Sequence, residues 1–297
     1  MSVGDVVPRN VIPLPLAGLG VLLASVGFGL VPYFSRGLTE AGLAPHAVAF
    51  HRYIIAAVAL LPVLYASRRA WRALLWGGAA GICMGMGWIG YVTALQTLPA
   101  TTVGVLYMTY PVFTVLLAWA FFADRPTIRA IVSAGLIVVA ALVSTGPFAL
   151  APEQIPVVLG ALAAPLGFGF GICVLVHRLK ALPPLARMAS ASAGSVLGLA
   201  PLVVMTDPAA ILPSDPSDWG LLVGIALATA LIPQLIYVTC APLVGAARSA
   251  VIGSVELPTM FAVGVLAFGE ALTVAQGVAC ALVLLAMGLS RDRTPRP

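Results

Sequence analysis

Charge is what this sequence has least of. Only 8% of its 297 residues are Asp, Glu, Lys or Arg, against about 25% in a soluble domain. So few charges cannot cover a water-facing surface, which leaves lipid as the solvent for most of the exterior. Metal-ligand and redox spacings are missing too. Cys83, Cys173, Cys240 and Cys280 lie far apart in or beside apolar runs, without a CxxC, and read as small buried residues. His46, His51 and His177 are scattered. No G-x-x-x-x-G-K-[ST] occurs, so no P-loop holds ATP, and there is no H-E-x-x-H or G-x-S-x-G. The expectation is a protein that is not an enzyme and that carries no cofactor and no metal. A net charge of +5 would suit nucleic acid. The basic residues, however, sit in short loops beside apolar segments, as membrane orientation requires, so no nucleic-acid partner is expected.

What is present is apolar: 61% of residues, with a mean hydropathy of +1.08. The runs are about 20 residues long and continuous, as in membrane helices, whereas barrel strands are about 10 residues with alternating polarity. Ten candidate spans emerge, over 14–34, 45–65, 74–95, 101–122, 128–146, 155–177, 184–206, 219–240, 245–268 and 272–290. The chain is therefore expected to be an all-α polytopic membrane protein. Its connections are short, the longest being the polar, proline-bearing turn from Thr206 to Asp218. Arg9 precedes the first run without a small-residue cleavage site, so that run is expected to be retained as a span.

Ten spans put both termini on one side. On that side fall Arg9, then Arg68, Arg69 and Arg72, Arg125 and Arg129, Arg178, Lys180 and Arg187, Arg248, and Arg291, Arg293 and Arg296. The opposite side holds Arg36 alone, while Arg52 lies inside the second span. By the positive-inside rule both termini are cytoplasmic and the host is a cytoplasmic (inner) membrane.

The chain also repeats itself. "YVTALQTLPATTVGVLYMTYPVFTVLLAWAFFADRPT" (91–127) aligns with "YVTCAPLVGAARSAVIGSVELPTMFAVGVLAFGEALT" (237–273). Tyr-Val-Thr opens both, Pro111 and Pro258 fall mid-helix, and an acidic residue three before a threonine (Asp124, Glu270) closes both. A weaker match pairs "SVGFG" (25–29) with "PLGFG" (165–169). The halves, 1–147 and 148–297, each carry five spans. Five is odd, so the second half inserts upside down. Inverted repeats with broken helices in matched positions mark secondary transporters, whose site lies at the midplane between the repeats.

These residues carry a resemblance. Ten spans as five plus five, the endings "PVFTVLLAWAFFAD" and "PTMFAVGVLAFGE", and "AFHRYIIAAVAL" (49–60) with its Arg52 resemble the drug/metabolite transporter superfamily. Within it the chain looks most like exporters of aromatic and other neutral amino acids. The second half departs from the pattern: "MASASAGSVLGLA" (188–200) has no arginine where Arg52 would map, so any role of Arg52 is asymmetric.

Glu256 and Arg52 are the clear charges within spans. Burying either one unpaired costs about 2.5–3.5 kcal/mol even on the mild insertion scale, so each should face the bundle interior or a wet cavity. Glu256 is a candidate for a substrate ammonium or a proton in transit, or else for a structural pair with Arg52 or Arg248. Trp88 and Tyr91 share a helix face, as do Tyr107 and Tyr110, and Gln96, Gln234 and Tyr237 could add hydrogen bonds to an amino-acid backbone. The candidate binding set is Glu256, Trp88, Tyr91, Tyr107, Tyr110, Gln234 and Tyr237, with Pro111, Pro258 and Arg52 as hinges or gates. A central cavity lined by the third, fourth, eighth and ninth spans is expected. The expected partners are the bilayer and a small-molecule substrate, either an amino acid or, as the alternative, an organic cation.

Overall fold

The structure, a computed structural model, describes residues 12–146, 151–244, 249 and 252–289. Among them every regular element is helical and no strand occurs. A lipid solvent dictates this, because backbone polar groups find no water there and a helix satisfies them within its own segment. In chain order the α-helices are α1 (Leu14–Gly29), α2 (Val31–Glu40), α3 (Pro45–Ala59), α4 (Leu61–Ala66) and α5 (Trp71–Ala94). Then come α6 (Ala100–Tyr107), α7 (Tyr110–Phe122), α8 (Ile128–Thr145), α9 (Gln154–Ala161), α10 (Ala163–His177) and α11 (Pro184–Val204). The last are α12 (Trp219–Ala226), α13 (Ile232–Val244), α14 (Glu256–Phe268) and α15 (Val274–Leu289). Proline stands in the first turn of α2, α3, α4, α7 and α11, where its missing N–H has no helical partner to lose.

Seven segments of the described residues are long and apolar enough to cross a membrane. They correspond to the first expected span and to the third through eighth. The second expected span is divided between α3 and α4, and the ninth and tenth form the shorter helices α14 and α15. Large apolar side chains such as Ile128, Met205, Leu266 and Val274 stand exposed on the outside, as a lipid-facing surface requires.

Small residues set how closely the helices meet. α5 lies against α3, α10 and α11. Gly77, Gly81 and Gly85 recur every four residues toward α11. A Cβ on Gly81 would strike the Ala191 carbonyl, and one on Gly85 would sit 3.0 Å from the Ser195 Cα. Ser195 Oγ donates to the Gly81 carbonyl at 2.8 Å. With apolar lipid on every side there is no hydrophobic drive between helices, so such contacts and interhelical hydrogen bonds hold them together.

Two irregularities matter for the site. The fourth span breaks at Met108–Thr109 between α6 and α7, and the ninth breaks at Ser254–Val255, just before α14. Pro111 and Pro258 are therefore not in helix middles, as the sequence suggests; each stands in the first turn of a new helix. A proline nitrogen has no hydrogen for the carbonyl four residues back and its ring crowds it, so the chain leaves the helix just upstream. The far ends of α7 and α14 also correspond. Each closes on a left-handed residue, Ala123 (φ 57°) and Gly269 (φ 64°). The N–H of the acidic residue that follows returns to the Ala118 carbonyl (3.1 Å) or the Gly264 carbonyl (3.0 Å), the wide closure of a Schellman-type end. Thr127 and Thr273 then accept from the Ala130 and Gln276 N–H groups, each at 3.2 Å, capping α8 and α15. These caps account for the threonine three residues after the acid in both stretches.

Candidate functional site

Six helices bring the sequence-selected residues together. α5 presents Trp88 and Tyr91 on one face, with rings 4.7 Å apart and edge to face. Tyr107, the last residue of α6, packs on both at 5.4 and 5.8 Å. Tyr110 opens α7 across the break, 5.9 Å from Tyr107. Arg52 on α3 lays its guanidinium over the Trp88 ring at 3.9 Å. Glu256 opens α14, where the unpaired N–H groups of a helix start favour a negative charge. Arg52, Tyr91, Tyr107, Tyr110 and Tyr237 all lie close enough to its carboxylate to interact with it electrostatically.

Glu256 and Arg52 do not touch. Among the described residues the ion pairs within 4.0 Å are Arg36–Glu270 and His177–Asp124. Arg248, the other suggested partner, lies outside the described residues. The Glu256 side chain accepts no hydrogen bond from the described residues, and the residue is only half-buried.

The aromatic cluster itself is closed. Trp88, Tyr91 and Tyr107 are buried, and they pack ring on ring instead of lining the open cavity expected from the sequence. Aromatic pairs at these spacings attract beyond their buried area, so the cluster closes when nothing lies between the rings. Two surface depressions, one beside Arg72, Leu75, Trp76 and Ala79 and one beside Arg36, Thr39, Glu40, Leu95 and Gln96, lie away from it. Gln234 forms no hydrogen bond among the described residues. It stands one helical turn before Tyr237, whose ring meets Phe28 at 6.1 Å.

Sequence reasoning missed three contributors. Phe168 packs on Tyr110 at 5.0 Å and on Tyr107 at 5.8 Å, and Phe28 meets Tyr237. Both are the phenylalanine of the repeated Gly-Phe-Gly, so the repeat carried the signal. The third is a backbone oxygen. Residues 227–231 form a π-helical turn just before Pro233. Pro233 has no N–H for the carbonyl one turn back, that of Thr229, and Arg52 Nη2 donates to that oxygen at 3.2 Å. Broken or widened turns of this kind gather at functional sites.

Away from the cluster, Arg36 is fully engaged. Its Nε donates to the Leu95 carbonyl (3.0 Å), Nη2 to Leu98 (3.1 Å) and Nη1 to Glu270 Oε1 (3.2 Å). Glu270 also accepts from the N–H groups of Ala100 (2.6 Å) and Thr101 (3.2 Å) and from Thr101 Oγ1 (3.1 Å), which caps α6. At the other end His177 meets Asp124 at 2.9 Å and stacks on Phe122. His46 and His51 are hydrogen-bonded to Thr206 and to the Ile211 carbonyl, as satisfied polar groups. The described residues contain no cluster able to hold a metal.

Residues 16–146 match the model of the EamA-like transporter family, part of the drug/metabolite transporter superfamily. One solved crystal structure resembles the chain with a TM-score of 0.58 at 18% identity, covering 93% of this chain and 96% of that one. At that identity the likeness speaks for the fold alone. No curated protein matches. The family match and the apolar helices support a multi-pass membrane transporter of small solutes.

Proposed function

We propose that this protein is a secondary transporter of ten helices in two inverted five-helix repeats. It exports small organic solutes, above all neutral and aromatic amino acids, across the cytoplasmic membrane by alternating access, with both termini in the cytoplasm. The observation that carries this is Glu256, a half-buried carboxylate without a hydrogen-bond partner among the described residues, at the start of a half-helix and beside Arg52 and four tyrosines. Discontinuous helices with their ends aimed at a shared site are how carriers bind charged solutes within a membrane.

Matched contacts support the reading as two related halves. The breaks at Met108–Thr109 and Ser254–Val255 fall at the same offset as Tyr91 and Tyr237. A Cβ on Gly29 would meet the Glu256 carbonyl at 2.7 Å, and one on Gly169 would meet the Tyr110 carbonyl at 3.1 Å. α1 thus lies on α13 and α14, as α10 lies on α5 and α7. The ion pairs correspond as well: Arg36 with Glu270, His177 with Asp124. In this reading they tie opposite ends of the bundle, and the two ends open in turn. Arg178 lies 5.1 Å from the Trp76 ring and 5.8 Å from the Phe122 ring, so the basic ends of three segments share one face, in keeping with the positive-inside count. Lacking a P-loop, the protein is driven by a gradient or runs downhill.

The test is uptake of radiolabelled amino acids into proteoliposomes containing wild type or Glu256→Gln. The expected result is saturable flux that the variant loses at an unchanged melting temperature, since the side chain holds no hydrogen bond among the described residues. Absence of flux for every amino acid would reject the substrate class. The second reading, export of organic cations, would use Glu256 as counter-ion within the tyrosines and would show as competition by a quaternary amine.

A further inference from the structure

Arg52 is 8% exposed, yet among the described residues Nη2 alone of its guanidinium nitrogens has a hydrogen-bond partner; Nε and Nη1 find none there. The guanidinium carbon lies 3.9 Å from the centre of the Trp88 ring. That cation–π contact supplies no oxygen acceptor to the guanidinium N–H groups. The Tyr91 hydroxyl is fully buried, also lacks a partner among the described residues, and lies within electrostatic reach of Arg52. Buried polar groups nearly always find partners, and unpaired donors on a buried cation are among the costliest exceptions. Two free guanidinium nitrogens and a free hydroxyl around one charge call for a ligand bearing acceptors.

We infer that Arg52 and the Tyr91 hydroxyl form a carboxylate-binding subsite, and that the transported solute is a zwitterion whose carboxylate meets Arg52 while its ammonium meets Glu256. Charge selects this ligand class. Arg52 and Glu256 interact electrostatically without contact, so the pair is neutral overall but neither member is matched at close range. A zwitterion set between them supplies a partner to each and adds no net charge. An organic cation would leave the Arg52 donors empty. A phosphate ester would bring two negative charges next to Glu256. The planar fork of arginine matches a carboxylate edge in a way lysine does not. Ligand entry separates the packed rings of Trp88, Tyr91 and Tyr107.

This inference rests on the amino-acid reading above and deepens it. It is tested in proteoliposomes with radiolabelled phenylalanine as solute and phenylalanine amide and phenylethylamine as competitors. For wild type, both competitors, which lack the carboxylate, should inhibit roughly tenfold or more weakly than unlabelled phenylalanine. Arg52→Gln should raise the phenylalanine KM by a similar factor and leave inhibition by the amide unchanged, with Arg52→Lys in between. The wild-type competition needs no variant, so a poorly folding Arg52→Gln leaves the test intact. The subsite is overturned if the amide competes within about twofold of phenylalanine, or if Arg52→Gln weakens both alike. Absence of saturable phenylalanine flux in wild type instead overturns the amino-acid reading itself, and the two failures are told apart.

Discussion

Replacing Glu270 by glutamine should damage the fold far more than replacing Asp124 by asparagine, although the two acids occupy matched positions and each makes one ion pair. Both oxygens of Glu270 are in use: Oε1 takes the Ala100 N–H and Arg36 Nη1, and Oε2 takes the Thr101 N–H and hydroxyl. An amide NH₂ at the Oε1 position faces two fixed donors, and at the Oε2 position it still faces the Thr101 N–H, although the hydroxyl there can turn to accept. Glu270→Gln therefore loses at least one hydrogen bond to a charged acceptor, worth about 1.5–3 kcal/mol, and leaves Arg36 without its counter-ion. The side chains of Arg36 and Glu270 are only 17% and 11% exposed, so solvent recovers little of this. We expect a loss of about 3–5 kcal/mol, the range for breaking a buried pair. At about 2–4 °C per kcal/mol for a chain of this size or somewhat smaller, melting should fall by roughly 6–20 °C. Asp124 is 64% exposed and its partner is a histidine; surface pairs contribute about 0–1 kcal/mol, so Asp124→Asn should lower melting by only about 0–4 °C. The assay is thermal unfolding of detergent-purified protein followed by size-exclusion chromatography. Equal shifts for the two variants, or a Glu270→Gln shift under about 2 °C, would refute the reasoning.

Three further outcomes are expected from thermal unfolding and amide exchange. Gly81→Ala should destabilise by about 1–3 kcal/mol through overpacking against the Ala191 carbonyl. Gly78→Ala, whose added carbon meets nothing within 4 Å, should be neutral or mildly stabilising, and a reversed order would reject the α5–α11 packing. Ala123→Gly should stabilise by about 1 kcal/mol, because the left-handed backbone at φ 57° is strained for alanine and free for glycine; a fall in melting temperature would contradict it. In the 207–218 turn, Asp215 accepts from the Ser217 N–H (2.9 Å) and Oγ (2.8 Å), which holds its carboxyl below the usual range. A lowered value stabilises the turn above the ordinary carboxylate pKa and loses that effect as pH falls through the lowered one. Hydrogen exchange at the Ser217 amide should show weaker protection, after correction for intrinsic rate, on acidification through that range.

The helical class and the apolar segments were legible from residue order alone, because each rests on local physics. Lipid demands unbroken apolar helices, proline interrupts them, and a left-handed closure followed by an acid and a capping threonine is a short-range pattern that repeats. Trp88, Tyr91, Tyr107, Tyr110, Tyr237 and Glu256 stood out in the sequence because polar and aromatic groups are conspicuous in glycine-rich apolar runs. The partners were not legible. That Arg36 reaches Glu270, that Phe28 and Phe168 join the tyrosines, and that Arg52 finds a carbonyl freed by Pro233 depend on helix pairs far apart in sequence. A hydropathy pattern says that a side chain must avoid lipid, not which helix it will meet. Gln234 shows the limit from the other side: it has the right chemistry and the right span, yet no hydrogen bond to any described residue. The sequence by itself determined the solvent, the segments and where the chain must break. Tertiary structure alone decided which charges are satisfied and which donors stay free, because satisfaction is a matter of contact across helices, and contact is set by how closely small residues let those helices approach.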